Sequence, residues 1–184
     1  MRKIILSLLF GVGFIAATSF AHAEGFTVMS PDIAGQLSIK QVFDGFGCSG
    51  KNISPKLSWK NAPEGTKSFA VTVYDPDAPT GSGWWHWIIF DIPATVHSLE
   101  KNAGNVKLPV APEGSVQSIT SFGQHGFGGA CPPEGDRPHQ YLFTIYALKV
   151  KKLSLNADAM PALVGFYLGQ NMLAKASIVA YYSR

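Results

Sequence analysis

The stretch from Val71 to Pro93, VTVYDPDAPTGSGWWHWIIFDIP, constrains this chain more than any other. Two runs rich in β-branched and aromatic residues, Phe69 to Tyr74 and Trp84 to Ile92, flank a segment built of turn-forming residues, which predicts two strands joined by a rigid loop. Pro76 and Pro79 each fix φ and remove an N–H, so the loop is not helical and Asp75 and Asp77 are held stiffly at a strand's end. Strict alternation puts Trp84, His86, Ile88 and Phe90 on one face and Trp85, Trp87 and Ile89 on the other. Both faces are then largely apolar, as in a strand covered on both sides, and His86 is a partly buried polar group that needs a partner. The plain reading of such a histidine is a core residue bonded to a backbone carbonyl. Its nearness to two acids suggests a further role.

The N-terminus reads as a targeting segment. Arg2 and Lys3 precede an apolar run from Ile4 to Ala17, and Ala21-His22-Ala23 has the small-residue spacing of a cleavage site, so residues 1–23 are expected to be a signal peptide removed after Ala23. Residues 24–184 then form one domain, large enough to bury a core, in a periplasmic or secreted protein. Cleavage lowers the formal charge from +3 to +1, because the segment holds two of the 15 basic residues and none of the 12 acidic ones. With so little net charge, and aromatics not interleaved with Lys or Arg, nucleic acid is excluded as a partner.

Short strands are expected at Phe26 to Met29, more loosely at Leu37 to Phe43, and around Leu57 and Trp59. Thr95 to Gly114 reads as a surface connection with at most one short strand. Gln140 to Lys149 alternates well and predicts a strand in which His139 and Tyr141 share a face. Asp158 as a cap, Pro161 in the first turn and apolar residues at helical spacing predict a helix over Ala159 to Leu173, followed by a last strand at Ala176 to Tyr182. Cys48 and Cys131 both lie in Gly- or Pro-rich loops of an expectedly exported chain and read as one disulfide, with two free thiols as the alternative. The Gly-rich run Phe122 to Gly129 fits no nucleotide-binding motif, yet its backbone could present N–H groups to an anion.

D-P-D-A-P followed by W-x-H-W and I-P, with PPEGDRPHQYLFTIYAL downstream, resembles the phosphatidylethanolamine-binding protein family, in its bacterial Raf-kinase-inhibitor-like branch labelled YbhB/YbcL. SPKLSWKNAPEGTKSFAVTVYDPDAP fits the family's leading block, so the likeness covers most of the chain from about Cys48 onward. It implies a mainly β (α+β) fold: a β-sandwich of antiparallel sheets, ending in a helix and a last strand, with a small pocket at one end. Three positions depart from the branch's pattern. Gln140 replaces Arg in H-R-Y, Asp91 replaces Asn before I-P, and Ser121 replaces Asp before F-G.

The resemblance also implies a site for phosphate-like groups at Asp75, His86, His139 and Tyr141, with Asp77 in support and Cys131 at the rim. Two imidazoles and a phenol can donate to phosphate oxygens, and a nearby carboxylate can fix a histidine tautomer or favour its charged form. At least one of His86 and His139 is therefore expected to be protonated in a complex with an anion. No catalytic residue, metal or cofactor is expected, since no serine sits in a nucleophile elbow. The alternatives are a hydrolase or a two-histidine, one-carboxylate metal site built from Asp75, His86 and His139. The expected partners are a phosphate-like anion or phosphorylated small molecule and a protein target, either a protease or a host protein, which the chain would inhibit or modulate. Homodimerisation stays open, with no interface located.

Overall fold

The computed structural model describes residues 25–184, so the expected signal peptide lies outside the described residues. In chain order the strands are β1 (Thr27–Met29), β2 (Asp44–Gly45), β3 (Cys48–Ser49), β4 (Leu57–Lys60), β5 (Ser68–Asp75), β6 (Trp84–Pro93), β7 (Ser98–Leu99), β8 (Val116–Gln117) and β9 (His139–Leu148), followed by helix α1 (Pro161–Asn171) and β10 (Met172–Tyr182). A five-stranded antiparallel sheet runs β10-β9-β5-β6-β8, a three-stranded one runs β1-β4-β7, and β2 pairs with β3. The fold is thus mainly β, with antiparallel sheets and a C-terminal helix that leads into the last strand.

The five-stranded sheet is covered on both faces, which explains why its central strands are apolar throughout. On one face Phe69, Val71, Val73, Trp87, Phe143 and Ile145 pack with Leu57, Trp59 and Leu99 of the smaller sheet. On the other, Ala70, Ile88, Phe90 and Leu148 pack with Leu153, Ala159 and the α1 residues Val164 and Leu168. Helix α1 starts at Pro161, where the missing N–H would be unpaired anyway, and Asp158 does not cap it, since the N-cap is Met160 with no side-chain bond. The chain passes from helix to strand at Met172 without a connecting loop, so β10 begins four residues earlier than Ala176. Leu37 to Phe43 is not a strand. Ile39 to Gln41 form a turn, and only isolated bridges, Gln36 to Tyr181 and Val42 to Ala130, flank it.

Strict alternation fails in β6, twice, and both failures matter. Val73 pairs with Trp87 but Tyr74 with Trp85, so His86 is an extra residue, a β-bulge. Beyond it Trp87 and Ile89 join the core between the sheets, while Trp85 packs with Ile88 and Phe90 on the helix side. Trp85 and Trp87, expected on one face, therefore lie on opposite faces, and His86 turns to the side of Trp87 instead of that of Ile88 and Phe90. A second bulge lies between the Val71–Ile89 and Phe69–Ile92 pairs, where Asp91 has a φ of 58°. Asp and Asn tolerate that left-handed conformation better than most side chains, which accounts for a short polar residue before Ile92 and Pro93. The Asp91 carboxylate accepts the Leu153 N–H at 2.8 Å, and burial raises its pKa above the usual carboxylate value.

Candidate functional site

At the end of the sheet where β5 stops and β6 and β9 begin, a pocket of about 190 Å³ opens between a polar floor and an aromatic and proline wall. Asp75, His86, His139 and Tyr141 form the floor; Phe46, Trp84, Phe122, Pro132 and Pro133 stand among the wall residues, and Cys131 lies at the rim. The volume is below the roughly 300 Å³ at which sites for whole small molecules usually begin, so the pocket suits a small group whose remainder projects past the rim.

The DPDAP loop holds its first acid by its own backbone. Asp75 Oδ1 accepts the N–H groups of Asp77 at 2.8 Å and Ala78 at 3.0 Å, and its Oδ2 receives His139 Nδ1 at 2.8 Å. Asp75 and His139 are both almost fully buried. Asp77 does not line the pocket. Its Oδ2 accepts the Gln140 N–H at 2.8 Å and its Oδ1 the Arg137 guanidinium at 2.5 Å, which ties the loop to the start of β9. Arg137 thus brings a cation to this acid although Gln140 carries none. At the other end of the loop Gly83 has a φ of 63°, and a Cβ there would lie 2.3 Å from the Tyr74 hydroxyl, so the turn into β6 requires glycine.

His86 is fixed from the opposite side. Its Nδ1 lies 2.8 Å from the Gly128 carbonyl oxygen and 3.1 Å from that of Gly129. Carbonyl oxygens only accept, so Nδ1 carries the hydrogen and a neutral ring bears its lone pair on Nε2. The Gly-rich run therefore meets the site through carbonyls, and its N–H groups are engaged elsewhere: Gly128 N–H donates to the His86 carbonyl at 2.8 Å and Gly129 N–H to Asn52 at 2.7 Å. A Cβ on Gly128 would lie 2.4 Å from the Phe122 ring. Burial pulls the His86 pKa down to about 4, against the opposing effects of the Gly128 carbonyl and the Asp75 charge. The charge expected on one of the two histidines does not belong to His86 in this arrangement. The Tyr141 hydroxyl is buried with no hydrogen bond of good geometry, and burial, then the charge of Asp75 and a contact with its carboxylate, raises its pKa.

The six residues expected from the sequence are thus brought together, five at the pocket and Asp77 behind it. Phe122 was not foreseen. Its ring centroid lies 4.4 Å from Phe43, 5.7 Å from Phe46, 5.3 Å from Trp84 and 5.3 Å from His86, so one side chain joins both loops to β6. Phe46 is 67% exposed at the tip of the β2–β3 hairpin. The signal for both was a phenylalanine before a glycine, which also describes many surface turns. Asp136 was missed as well; its Oδ2 is 3.4 Å from His139 Nε2. That carboxylate stands where a hydrolase would need a nucleophile's hydroxyl. The pocket's one threonine, Thr80, donates its hydroxyl to the Gly83 carbonyl at 2.6 Å. Among the described residues no group of three or more His, Cys, Asp or Glu side chains is arranged to hold a metal ion. Cys48 and Cys131 are joined as a disulfide that anchors the β2–β3 hairpin to the pocket wall.

Comparison with known proteins places these features in a family. The phosphatidylethanolamine-binding protein family model matches residues 30–183. The YbcL protein of Escherichia coli is 50% identical over 184 residues, covering 99% of this chain and 98% of its own, and YbhB of the same organism is 47% identical over 148 residues, covering 80% and 92%. A crystal structure of E. coli YbcL, described as a new member of the mammalian PEBP family, superposes with a TM-score of 0.85 at 53% identity, covering 86% of this chain and 98% of the other.

Proposed function

The chain belongs to the phosphatidylethanolamine-binding protein family, whose members are generally binding proteins, and from that premise we propose that it is an exported, non-enzymatic protein that holds a small phosphate-like anion in the pocket floored by Asp75, His86, His139 and Tyr141. The observation that carries this reading is the Tyr141 hydroxyl, buried at the pocket floor with no hydrogen bond of good geometry and only the Asp75 carboxylate near it. An unmet buried donor is costly unless a ligand or water meets it. The nearly neutral formal charge after processing fits modest affinity, because no Lys or Arg is among the pocket's lining residues. Export is supported by the N-terminal pattern and by the disulfide, which persists in oxidising compartments.

A protein target, a protease or a host protein, would meet the rim, where Phe46 offers an exposed aromatic side chain. The chain would act there as an inhibitor or modulator.

Calorimetric titration of inorganic phosphate into the processed protein and its Tyr141→Phe variant tests the anion site. Binding that weakens about tenfold in the variant, at unchanged melting temperature, is the expected result, since one hydrogen bond to a charged group contributes roughly 1.5–3 kcal/mol. No measurable binding to the parent protein at millimolar phosphate would reject the reading.

A further inference from the structure

We propose that the outward face of α1, with a collar of lysines at its C-terminal end, is a docking surface for an anionic lipid bilayer. This surface shares no residue with the pocket lining and does not depend on the anion reading.

Among the described residues 13 large apolar side chains are exposed, and eight of them fall between Met160 and Tyr181. From residue 160 to residue 183 the only charged side chain is Lys175. Val164 and Leu168 turn toward the sheet, while Leu163, Phe166 and Tyr167 stand on the other side of α1, with Phe166 61% exposed. Met160 before the helix and Met172 and Leu173 just after it extend this apolar strip at both ends. A helix with no charged side chain is normally covered all round, and α1 is covered on one side.

Positive charge gathers where the strip ends. Lys67 donates its N–H to the Leu148 carbonyl at 2.8 Å and Lys149 its N–H to that of Asn171 at 2.9 Å, which brings Lys67 to the end of β9 and Lys149 to the last residue of α1. Lys151 and Lys152 follow on the same loop. Lys175 lies across from Tyr146, on the face of the sheet that α1 covers. All five lysines are exposed, and none forms a salt bridge with another described residue. Against them stand Glu64, in the turn that reaches Leu173, and the buried Asp91 near Lys152.

An apolar partner would cover the strip and leave the collar without counter-charge. A second copy of the chain brings little: the exposed acids beside its own α1 are Glu64 and Asp158, and Asp158 already lies 3.6 Å from His125. An anionic bilayer answers both parts, since aromatic and aliphatic side chains enter the acyl boundary while the ammonium groups stay among the lipid phosphates on their long stems.

Vesicle sedimentation with the processed protein tests this, with vesicles of phosphatidylcholine alone and of equal parts phosphatidylcholine and phosphatidylglycerol. Binding to the mixed vesicles should be at least about tenfold stronger, and should weaken as added salt screens the lysines. Lys149→Gln, Lys151→Gln and Lys152→Gln combined should lower it by well over tenfold, because one lysine near such a surface contributes about a fivefold factor. Phe166→Ser should lower it about tenfold. These side chains are exposed, so both variants should melt at the parent's temperature. Tyr141→Phe and Phe46→Ser, altered at the pocket, should bind the mixed vesicles as the parent does. Equal binding to the two vesicle types, or binding to neither, would overturn the proposal. So would binding lost in the pocket variants and kept in the surface ones, which would assign lipid capture to the pocket. A dimer in vesicle-free solution that Phe166→Ser dissociates would seat a second copy on this face and overturn it as well.

Discussion

The middle of β6 and its first residues share the same neighbouring strands and differ in how their polar atoms are treated. In the middle, Trp87 is fully buried between the sheets, and its indole N–H is spent on Gln117 at 2.7 Å. Next to it His86 is as deeply buried, yet leaves Nε2 open, as Tyr141 on β9 leaves its hydroxyl. One residue step separates a closed core from a floor with unmet hydrogen bonds. Buried polar groups are normally paired because leaving them unpaired costs stability, so an adjacent pair of exceptions at a pocket marks where a ligand belongs. The bulge at His86 makes this possible, since it turns two successive side chains to one side of the strand.

Four substitutions probe the contrast, in order of expected effect on stability. Trp87→Ala should cost about 4 kcal/mol in denaturant melts, as for other large buried aromatics. A cost under about 1 kcal/mol would mean that this part of the strand is not core. His139→Ala comes next, at about 3 kcal/mol, because it strips the buried Asp75 carboxylate of its partner at 2.8 Å. If the variant melts like the parent, the Asp75–His139 pair is not structural.

Asp91→Asn should raise stability, by about 1 kcal/mol or less at pH 7. The sign follows from the raised pKa of the buried carboxyl: above that pKa the folded state bears an ionised group that the unfolded state solvates better. The gain should fade as pH drops through the raised pKa and vanish below the usual carboxylate range. A gain that persists at pH 3, read from thermal melts across pH, would refute the electrostatic cause. Tyr141→Phe should change stability least, within about 0.5 kcal/mol, since it removes a hydroxyl that makes no hydrogen bond of good geometry. Its effect is reserved for the anion. A large loss of stability here would show that the hydroxyl is paired in solution.

What the sequence disclosed follows the same division. His139 and Tyr141 were placed on one face by alternation, and β9 is regular enough for that to hold. Alternation misassigned Trp85 and Trp87 because a bulge at His86 leaves no mark in local composition; the one at Asp91 left only a short polar residue between apolar ones. The helix was legible from Pro161 and its apolar spacing, and the extra length of β10 was not, since Met172 to Lys175 suits either state. The carbonyl clamp on His86 depends on which backbone groups of a Gly-rich loop turn inward, and that is settled by close packing against Phe122 and the strand, not by the loop's own residues.

The disulfide has a consequence of a mechanical kind. Cys48 and Cys131 are 83 residues apart, and the closed covalent ring between them contains β4 to β8. Tension applied at the chain's two ends would pass through the sulfur bridge and bypass the ring, hiding roughly 290 Å of contour at about 3.5 Å per residue. β9 and β10 lie outside it and would peel away, taking His139 and Tyr141 with them. The half of the pocket that carries Asp75 and His86 stays inside a loop that no pull can lengthen, and only a reductant would release it.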